Sequence, residues 1–499
     1  MLTSAKLPAA PEPVRPRPRP RRCGREPPNV PDPGRRTCHR RGVRPPSLPA
    51  PAPLSAVFGA GYAAAYAVGG NRMVARMLKR YGPVVALPVL GYGTVVAVAD
   101  PALARQVFAE KPDVLLGGDG VGPAAAIYGP RSMFVQEEPE HLRRRRLLIP
   151  PLHGAALAGH VPVIEAATRS AMASWPVGRP MRMLDAARDL TLDVIIRVIF
   201  GVHDPAEVAR LAAPFETLLA LAVSVQTPVR YALRRAGALR FWHAYRDANR
   251  RIDELVRPLI AARRVPDAGP RDDILSMLVA ARTEDGDRLT DDEIRDDLIT
   301  LVLAGHETTA TTLAWLIDYL VHHPAALDRV RAEAAPGGAQ RGAGPYTEAV
   351  INETLRLRPP GPVTGRTTAG HYRLGDYTLA PRTRIVLLLG VINRDPNSYP
   401  DPHDFRPDRF LHTRPDPYAW VPFGGGVKRC LGAAFAMREL TTILRILLTE
   451  ADLRPVNARP ESAAGRAAAV VVPRHGTPVY FRPTAPAASP RCAGRTSTV

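Results

Sequence analysis

The residues best suited to chemistry stand at Phe423-Gly-Gly-Gly-Val-Lys-Arg-Cys-Leu-Gly432. There a single thiol, Cys430, follows a glycine-dense loop and precedes the amphipathic run Ala433-Ala-Phe-Ala-Met-Arg-Glu-Leu440. Three successive glycines carry no Cβ, so the backbone can turn tightly and come close to a flat ligand. Loop N–H groups near the sulfur lower its basicity and tune any metal it binds. Lys428 and Arg429 add positive charge, which favours thiolate over thiol. Such a cysteine is either a metal ligand or a buried structural thiol. Two other loop chemistries fail on spacing: a phosphate cradle needs Ser or Thr after its lysine, and a dinucleotide fingerprint needs a third glycine where Arg429 stands.

A second group of reactive side chains sits at Ala304-Gly305-His306-Glu307-Thr308-Thr309, inside a run that is otherwise apolar from 298 to 320. Burying an acid and two hydroxyls costs on the order of a few kcal/mol unless they are paired or used. Gly305 and Thr308 allow the helical ladder to open locally, because a Thr hydroxyl competes for backbone carbonyls. His306-Glu307 is not a zinc-protease signature, since position 310 is Ala where a second His is required. Glu353 and Arg356 are three apart and share a helix face, as in any helical ion pair. His141 and Arg145, four apart, also share a face, while Arg143, Arg144 and Arg146 point elsewhere; alone, this is an exposed basic helix.

These groups need rigid elements to hold them. Thr290-Asp-Asp-Glu293 is a capping box, and the helical pattern then runs to His323 before Pro324. That length corresponds to roughly 50 Å at 1.5 Å per residue, enough to cross a domain. A helix apolar on nearly all sides belongs in a core. Pro359-Pro360 stops the helix bearing Glu353 and Arg356. Further helices are expected at 71–81 and from Pro101 to Phe108. Short β-type runs at 84–90 and 94–99, joined through Gly91-Tyr92-Gly93, and at 377–379 and 384–389 predict a small sheet. Runs at 470–472 and 478–481 predict a closing hairpin. Residues 160–285 read as successive helices without a catalytic constellation.

The ten residues ending at Gly432, read as Phe-x-x-Gly-x-basic-x-Cys-x-Gly, resemble the haem-binding loop of the cytochrome P450 family. The family's oxygen-activation motif is matched at Ala304–Thr309, and its helix pair at Glu353-Thr-Leu-Arg356. A third member of that pair is matched at Arg409 in Phe405-Arg-Pro-Asp-Arg-Phe410. The resemblance covers roughly 71–483. It implies a mainly α (α+β) fold, a helix-rich domain with a small β region, holding haem b between the long helix and the Cys430 loop. On it Cys430 is the thiolate axial ligand, with Phe423, Gly424, Lys428, Gly432 and Ala304 also at the haem. His141 and Arg145 clamp one propionate and Arg366 meets the other. Glu307 and Thr308 relay protons to dioxygen while the thiolate donates electron density from the far side. Glu353, Arg356 and Arg409 form a structural triad. Lys428 departs from the commoner Arg or His and offers a point charge without a bidentate fork. Residues 334–346 look shortened and glycine-rich against the family pattern.

The implied activity is monooxygenation: one atom of dioxygen enters an apolar small-molecule substrate and the other leaves as water. No flavin or iron–sulfur motif appears and 69 residues follow Cys430, so a separate ferredoxin and ferredoxin reductase are expected as electron donors. An acidic ferredoxin would dock on Arg143, Arg144 and Arg429. The alternatives are a peroxide-driven or isomerising haem-thiolate enzyme, against which the intact Glu307-Thr308 pair argues, and a haem-thiolate sensor without turnover. The segments 112–130, 206–240, 361–366 and 472–478, expected to line the pocket, are apolar and rank no substrate.

Composition is that of a soluble globular protein, 45% hydrophobic and 23% charged. A net charge of +20 ordinarily points to nucleic acid. Here four lysines stand among 67 basic residues, and residues 1–50 alone hold 12 basic residues, 3 acidic residues and 13 prolines. The charge thus reflects arginine usage and a tail unable to bury a core, and no nucleic-acid partner is expected. Cys23, Cys38, Cys430 and Cys492 make no disulfide framework in so long a chain, which points to a reducing cytoplasm. The apolar run 54–68 is shorter than a membrane span, and no membrane contact is expected. The domain reading is a Pro/Arg-rich tail over 1–55, a haem-thiolate domain over 56–483 and a tail over 484–499.

Overall fold

A computed structural model describes residues 48, 76–89, 93–118, 125–222, 239–265, 271–335, 344–412, 415–464 and 470–484. All of them belong to one unit, Pro45–Val499. The tails expected at 1–55 and 484–499 lie outside the described residues except for Leu48 and Thr484. So do the turn at Gly91-Tyr92 and most of the shortened segment 334–346.

Helices dominate: α1 Pro101–Ala109, α2 Glu140–Leu148, α3 Val161–Ser174, α4 Met183–Phe200 and α5 Pro205–Ala222. They continue with α6 Leu239–Arg264, α7 Asp291–His322, α8 Pro324–Ala334, α9 Pro345–Leu357 and α10 Ala433–Glu450. The long helix α7 organises the rest. Its capping box forms as the spacing predicts: the Thr290 hydroxyl accepts from the Glu293 N–H, and the Glu293 carboxylate accepts from the Thr290 N–H at 2.7 Å. Asp291, Asp292 and Glu293 in its first turn complement the positive end of the helix dipole. Its far end is set by Pro324, which cannot continue the ladder. From Ile294 to Val321 it is almost wholly buried, with α4 lying along it.

Three small sheets complete the fold. The strands are β1 Val84–Val89, β2 Gly93–Val98, β3 Leu115–Leu116, β4 Pro180–Arg182 and β5 Thr364–Thr368. The remaining strands are β6 Tyr372–Leu374, β7 Tyr377–Leu379, β8 Arg384–Leu387, β9 Ala451–Pro455 and β10 Pro478–Pro483. One sheet runs β1-β2-β8-β5-β3, with β2 and β8 parallel and the other neighbours antiparallel. Its β5–β8 register sets Arg366 opposite Ile385, which turns the Arg366 side chain inward beneath a second small core. β8 ends at Leu387, and a short helix, Leu389–Ile392, takes up the end of the run expected to be strand.

The expected hairpin between 470–472 and 478–481 does not form. β10 instead pairs with β9 on one side and β4 on the other. Residues 470–472 turn back toward 461–464, through an isolated bridge between Ala463 and Pro473. Two left-handed positions, Gly476 (φ 77°) and Thr477 (φ 52°), reverse the chain between the two stretches, so it cannot run on as one strand.

Candidate functional site

The Cys430 loop closes on itself, since the Cys430 N–H donates to the Phe423 carbonyl at 2.9 Å. Gly424 and Gly426 sit at φ 67° and 66°, where any other residue is strained. A Cβ on Gly426 would stand 2.3 Å from the Phe108 carbonyl oxygen, so this loop rests directly on the end of α1. No such crowding exists at Gly424 or Gly432, where a Cβ meets nothing within 4 Å. Those two glycines leave room beside the thiol.

Three cations and a histidine gather round the loop. The Arg366 guanidinium donates to the Gly425 carbonyl at 3.1 Å, and the Arg145 guanidinium to the Arg429 carbonyl at 2.8 Å. The Lys428 ammonium donates to the Gln136 carbonyl, and His141 Nδ1 lies 2.8 Å from Glu138 Oε1. Burial pushes Arg366 down to about 10 and Lys428 down to about 8, outweighing the pull of the carboxylates nearby. His141 and Arg145 are also held below their ordinary values by burial. Cations that have lost water and are not balanced by the carboxylates around them form a setting for anionic groups of a bound molecule.

The cysteine itself corrects one expectation. Arg429 and Arg145 do favour the thiolate, as does the Gly432 N–H, but burial outweighs them and pushes the Cys430 thiol up. Its surface is nonetheless exposed, so it opens onto interior space ringed by protein. Ala304 is likewise exposed in the middle of α7, between buried Leu303 and His306. A thiol in that setting gives up its proton readily only to a metal. One sulfur ligand, three under-compensated cations with a histidine beside them, and a glycine-lined approach fit haem, with its iron and two carboxylates.

Glu307 and Thr308 are placed differently from each other. The Thr308 hydroxyl donates back to the Ala304 carbonyl at 2.7 Å, on the same side of α7 as exposed Ala304. The buried Glu307 carboxylate is turned toward α4, where Arg188 donates from Nε at 2.9 Å and from Nη2 at 2.5 Å. The adjoining His306 Nε2 lies 3.0 Å from the Arg188 carbonyl. Residues 160–285 therefore do supply a partner to this site. Arg188 carries no local mark, because only the crossing of α4 over α7 brings it to a residue 119 positions away.

Glu353, Arg356 and Arg409 come together. Arg356 Nε and Nη2 donate to the Glu353 carboxylate at 2.6 and 2.8 Å, and Arg409 Nε reaches Glu353 Oε1 at 3.2 Å. Arg356 Nη1 also donates to the Asn393 carbonyl at 3.1 Å, and the Asn393 side chain accepts the Val421 N–H at 2.8 Å. This chain of bonds runs from α9 to within two residues of Phe423.

Arg143 and Arg144 do not face outward as expected. Arg144 is buried against Asp297, and Arg143 donates to Glu140 at 2.8 Å and to Glu293 at 2.5 Å. Glu293 and Asp297, one turn apart at the start of α7, draw both arginines inward. Arg146 and Arg429 are exposed.

Glu439, on α10, is a further group that sequence reading missed. It is fully buried, bonded to the Thr309 hydroxyl, and its Oε1 has no partner among the described residues. Burial pushes its carboxyl up to about 8 from 4.5. A raised carboxyl stabilises the fold fully below about 4.5 and loses that contribution as pH rises through about 8. The melting temperature of the native protein is therefore expected to fall by several degrees between about pH 6 and pH 9. Glu439→Gln should flatten that fall, and parallel curves for the two proteins would exclude Glu439 as its cause.

A helix-rich domain that sets one thiol and a ring of cations beside a buried helix has the architecture of a haem-thiolate protein. A family model described as Cytochrome P450 matches residues 49–477. The chain is 60% identical over 440 residues to cytochrome P450 137 of Mycobacterium tuberculosis, covering 88% of this chain and 91% of that one. It is 35% identical over 422 residues to cytochrome P450 138 of Mycobacterium bovis, covering 84% and 93%. A solved structure, retinoic acid-bound cyanobacterial CYP120A1, shares the fold with a TM-score of 0.69 at 21% identity, over 83% of this chain and 95% of that one. The chain belongs to the cytochrome P450 family and is a haem-thiolate monooxygenase, a class that takes electrons from redox partners and acts with dioxygen on hydrophobic substrates. Among the described residues no helix is long and apolar enough to cross a membrane.

Proposed function

We propose that this monooxygenase holds haem b through Cys430 as its thiolate ligand and hydroxylates an apolar small molecule with electrons from a ferredoxin and its reductase. The observation that carries the reading is the convergence of His141, Arg145, Arg366 and Lys428 on the Cys430 loop, with more positive charge than the local carboxylates balance. His141, Arg145, Lys428 and Arg366 would hold the propionates. Phe423, Gly424 and Gly432 would contact the porphyrin, and Ala304, exposed on α7, would leave room for it. When bound, haem supplies the activation of dioxygen and the insertion of one oxygen atom.

The protein's part is to hold and move protons and to exclude water. The Thr308 hydroxyl, already a donor to the Ala304 carbonyl, can turn its proton toward the pocket by giving up one local bond. Glu307 would resupply it with a proton taken from solvent water, which can reach the carboxylate beside Arg188, about one-third exposed. The working domain is 56–483, and the compartment is the cytoplasm, where Cys430 stays reduced.

The reduced, carbon-monoxide-bound absorption spectrum tests the ligand, and a screen of apolar compounds for spin-state shifts tests the substrate class. A spectrum without the thiolate band would end the reading. With a ferredoxin and reductase supplied, Glu307→Gln is expected to slow turnover by about 10²-fold, the usual contribution of a positioned proton donor. Thr308→Ala should keep consuming reductant while releasing hydrogen peroxide in place of product. Unchanged product yield in both variants would remove the pair from the mechanism.

A further inference from the structure

Beside the Arg188–Glu307 pair, α4 and α7 are tied by two reciprocal bonds. The buried Thr191 hydroxyl, on α4, donates to the His306 carbonyl of α7 at 3.2 Å. In return His306 Nε2, on α7, lies 3.0 Å from the Arg188 carbonyl of α4. Each helix thus gives a side chain to the other's backbone. Arg188 and Thr191 are three apart and share a face of α4, so both bonds fall within one turn of the guanidinium that meets Glu307.

The His306 ring does not look into the reaction space. At 3.6 residues per turn, positions 306 and 308 stand roughly 200° apart around α7, which puts the ring toward α4 while Thr308 shares the side of exposed Ala304. The ring is buried beside a narrow recess lined by Leu192, Phe215, Glu216, Leu219, Val302 and Leu303. A carbonyl oxygen only accepts, so Nε2 carries the proton of its bond to Arg188. His306 Nδ1 has no partner among the described residues, and burial holds the ring below its ordinary value against the pull of Glu307. A neutral ring protonated at Nε2 is the form that these surroundings select.

Arg188 has a competing carboxylate. Asp185, one turn earlier on α4, lies 3.8 Å from Arg188 Nη1 and is about half exposed, and Asp189 adds negative charge on the same helix. A long arginine side chain can serve either neighbour, and its backbone position decides which it reaches. The His306 bond fixes that backbone at the residue bearing the guanidinium.

We propose that His306 is a positioning residue of the proton relay, whose Nε2–H, fixed on the Arg188 carbonyl, sets the Arg188 guanidinium on Glu307 in preference to Asp185. The role rests on the reading of Glu307 as the group that resupplies Thr308. His306 carries no proton along the relay, because its one N–H is taken up by a carbonyl and its bare nitrogen meets no donor. It acts through Arg188, by keeping a cation beside the acid.

Two measurements test this on the haem-loaded protein. Nitrogen NMR of histidine-labelled protein, reduced and bound to carbon monoxide so that the iron is diamagnetic, reads the tautomer, with the His306 signal assigned by its loss in His306→Gln. A neutral ring protonated at Nε2 is expected at about pH 7, and a proton on Nδ1 or a charged ring there overturns the proposal. Turnover is then followed with a ferredoxin, its reductase and the apolar compound giving the largest spin-state shift in the screen above. His306→Leu is expected to lower kcat roughly tenfold, less than Glu307→Gln because the acid remains and only its partner is misplaced. The Kd of that compound and the reduced carbon-monoxide band should not move. His306→Gln, whose amide nitrogen reaches about as far as Nε2, should restore most of kcat. His306→Asn, whose amide nitrogen stands near the place of Nδ1, should not.

Native kcat in folded His306→Leu, or equal losses in the Gln and Asn variants, overturns the role, and the second comparison decides alone if the Leu variant does not fold. In a Glu307→Gln background His306→Leu should add nothing, and a further tenfold loss there would show that His306 acts elsewhere. A native rate in Glu307→Gln itself removes the relay and this role with it. A slow Glu307→Gln beside a native His306→Leu removes the role alone.

Discussion

Cys430→Ser protein is expected to fold, yet to lack the long-wavelength Soret band of a thiolate-bound haem when reduced and treated with carbon monoxide. Its monooxygenase activity should fall to background. The loop survives the exchange because its closure is a backbone bond, Cys430 N–H to Phe423 carbonyl at 2.9 Å, and its turns rest on Gly424 and Gly426. The side chain is exposed to interior space and packs little, so one atom's replacement costs little stability. What changes is the ligand. Burial already raises the thiol, and a serine hydroxyl starts far less acidic, so oxygen stays protonated and donates much less electron density. Haem content and the reduced difference spectrum, measured on native and variant protein together, separate loss of ligand from loss of fold. A variant that keeps the native band would show that iron takes its ligand elsewhere.

Glu353→Ala is expected to abolish the folded protein. Both Glu353 and Arg356 are completely buried, and every hydrogen bond of the pair is made: carboxylate to guanidinium, Arg406 N–H to Glu353 at 2.8 Å, and guanidinium to the Asn393, Pro402 and Asp404 carbonyls. Removing the acid leaves the Arg356 cation in the core with neither water nor counter-charge. Breaking one side of such a pair costs about 3–5 kcal/mol, a large part of the stability of an ordinary domain. The same loss frees Asn393 and, through it, the Val421 N–H that leads into the Cys430 loop. Haem uptake should therefore fail along with the fold. The exposed pair Arg329–Asp408, at 2.7 Å, is the control, and its removal is expected to cost under about 1 kcal/mol. A soluble Glu353→Ala protein with native melting temperature and full haem content would refute the assignment.

The two carboxylates Glu353 and Glu439 differ instructively. Both are buried, but Glu353 has two arginines and a backbone N–H, while Glu439 has one hydroxyl and an orphan oxygen. Burial pushes the Glu439 carboxyl up to about 8, and that setting makes stability fall toward alkaline pH.

Local spacing alone determined the features whose partners lie within a few residues. The capping box at Thr290, the length of α7, the Glu353–Arg356 pair and the glycine turn before Cys430 all follow from a 3.6-residue period, a cap or a left-handed φ. Composition and motif order likewise carried the family, because the residues at the loop and on α7 are adjacent in the chain. Tertiary structure decided whatever depends on which helix crosses which. It gave Glu307 the partner Arg188, turned Arg144 inward to Asp297 and set Glu439 against Thr309. It also paired β10 with β9 and β4 instead of with the segment just before it. In each case the energy lies in burial and charge pairing across more than a hundred residues or between distant strands, which no short window of sequence contains.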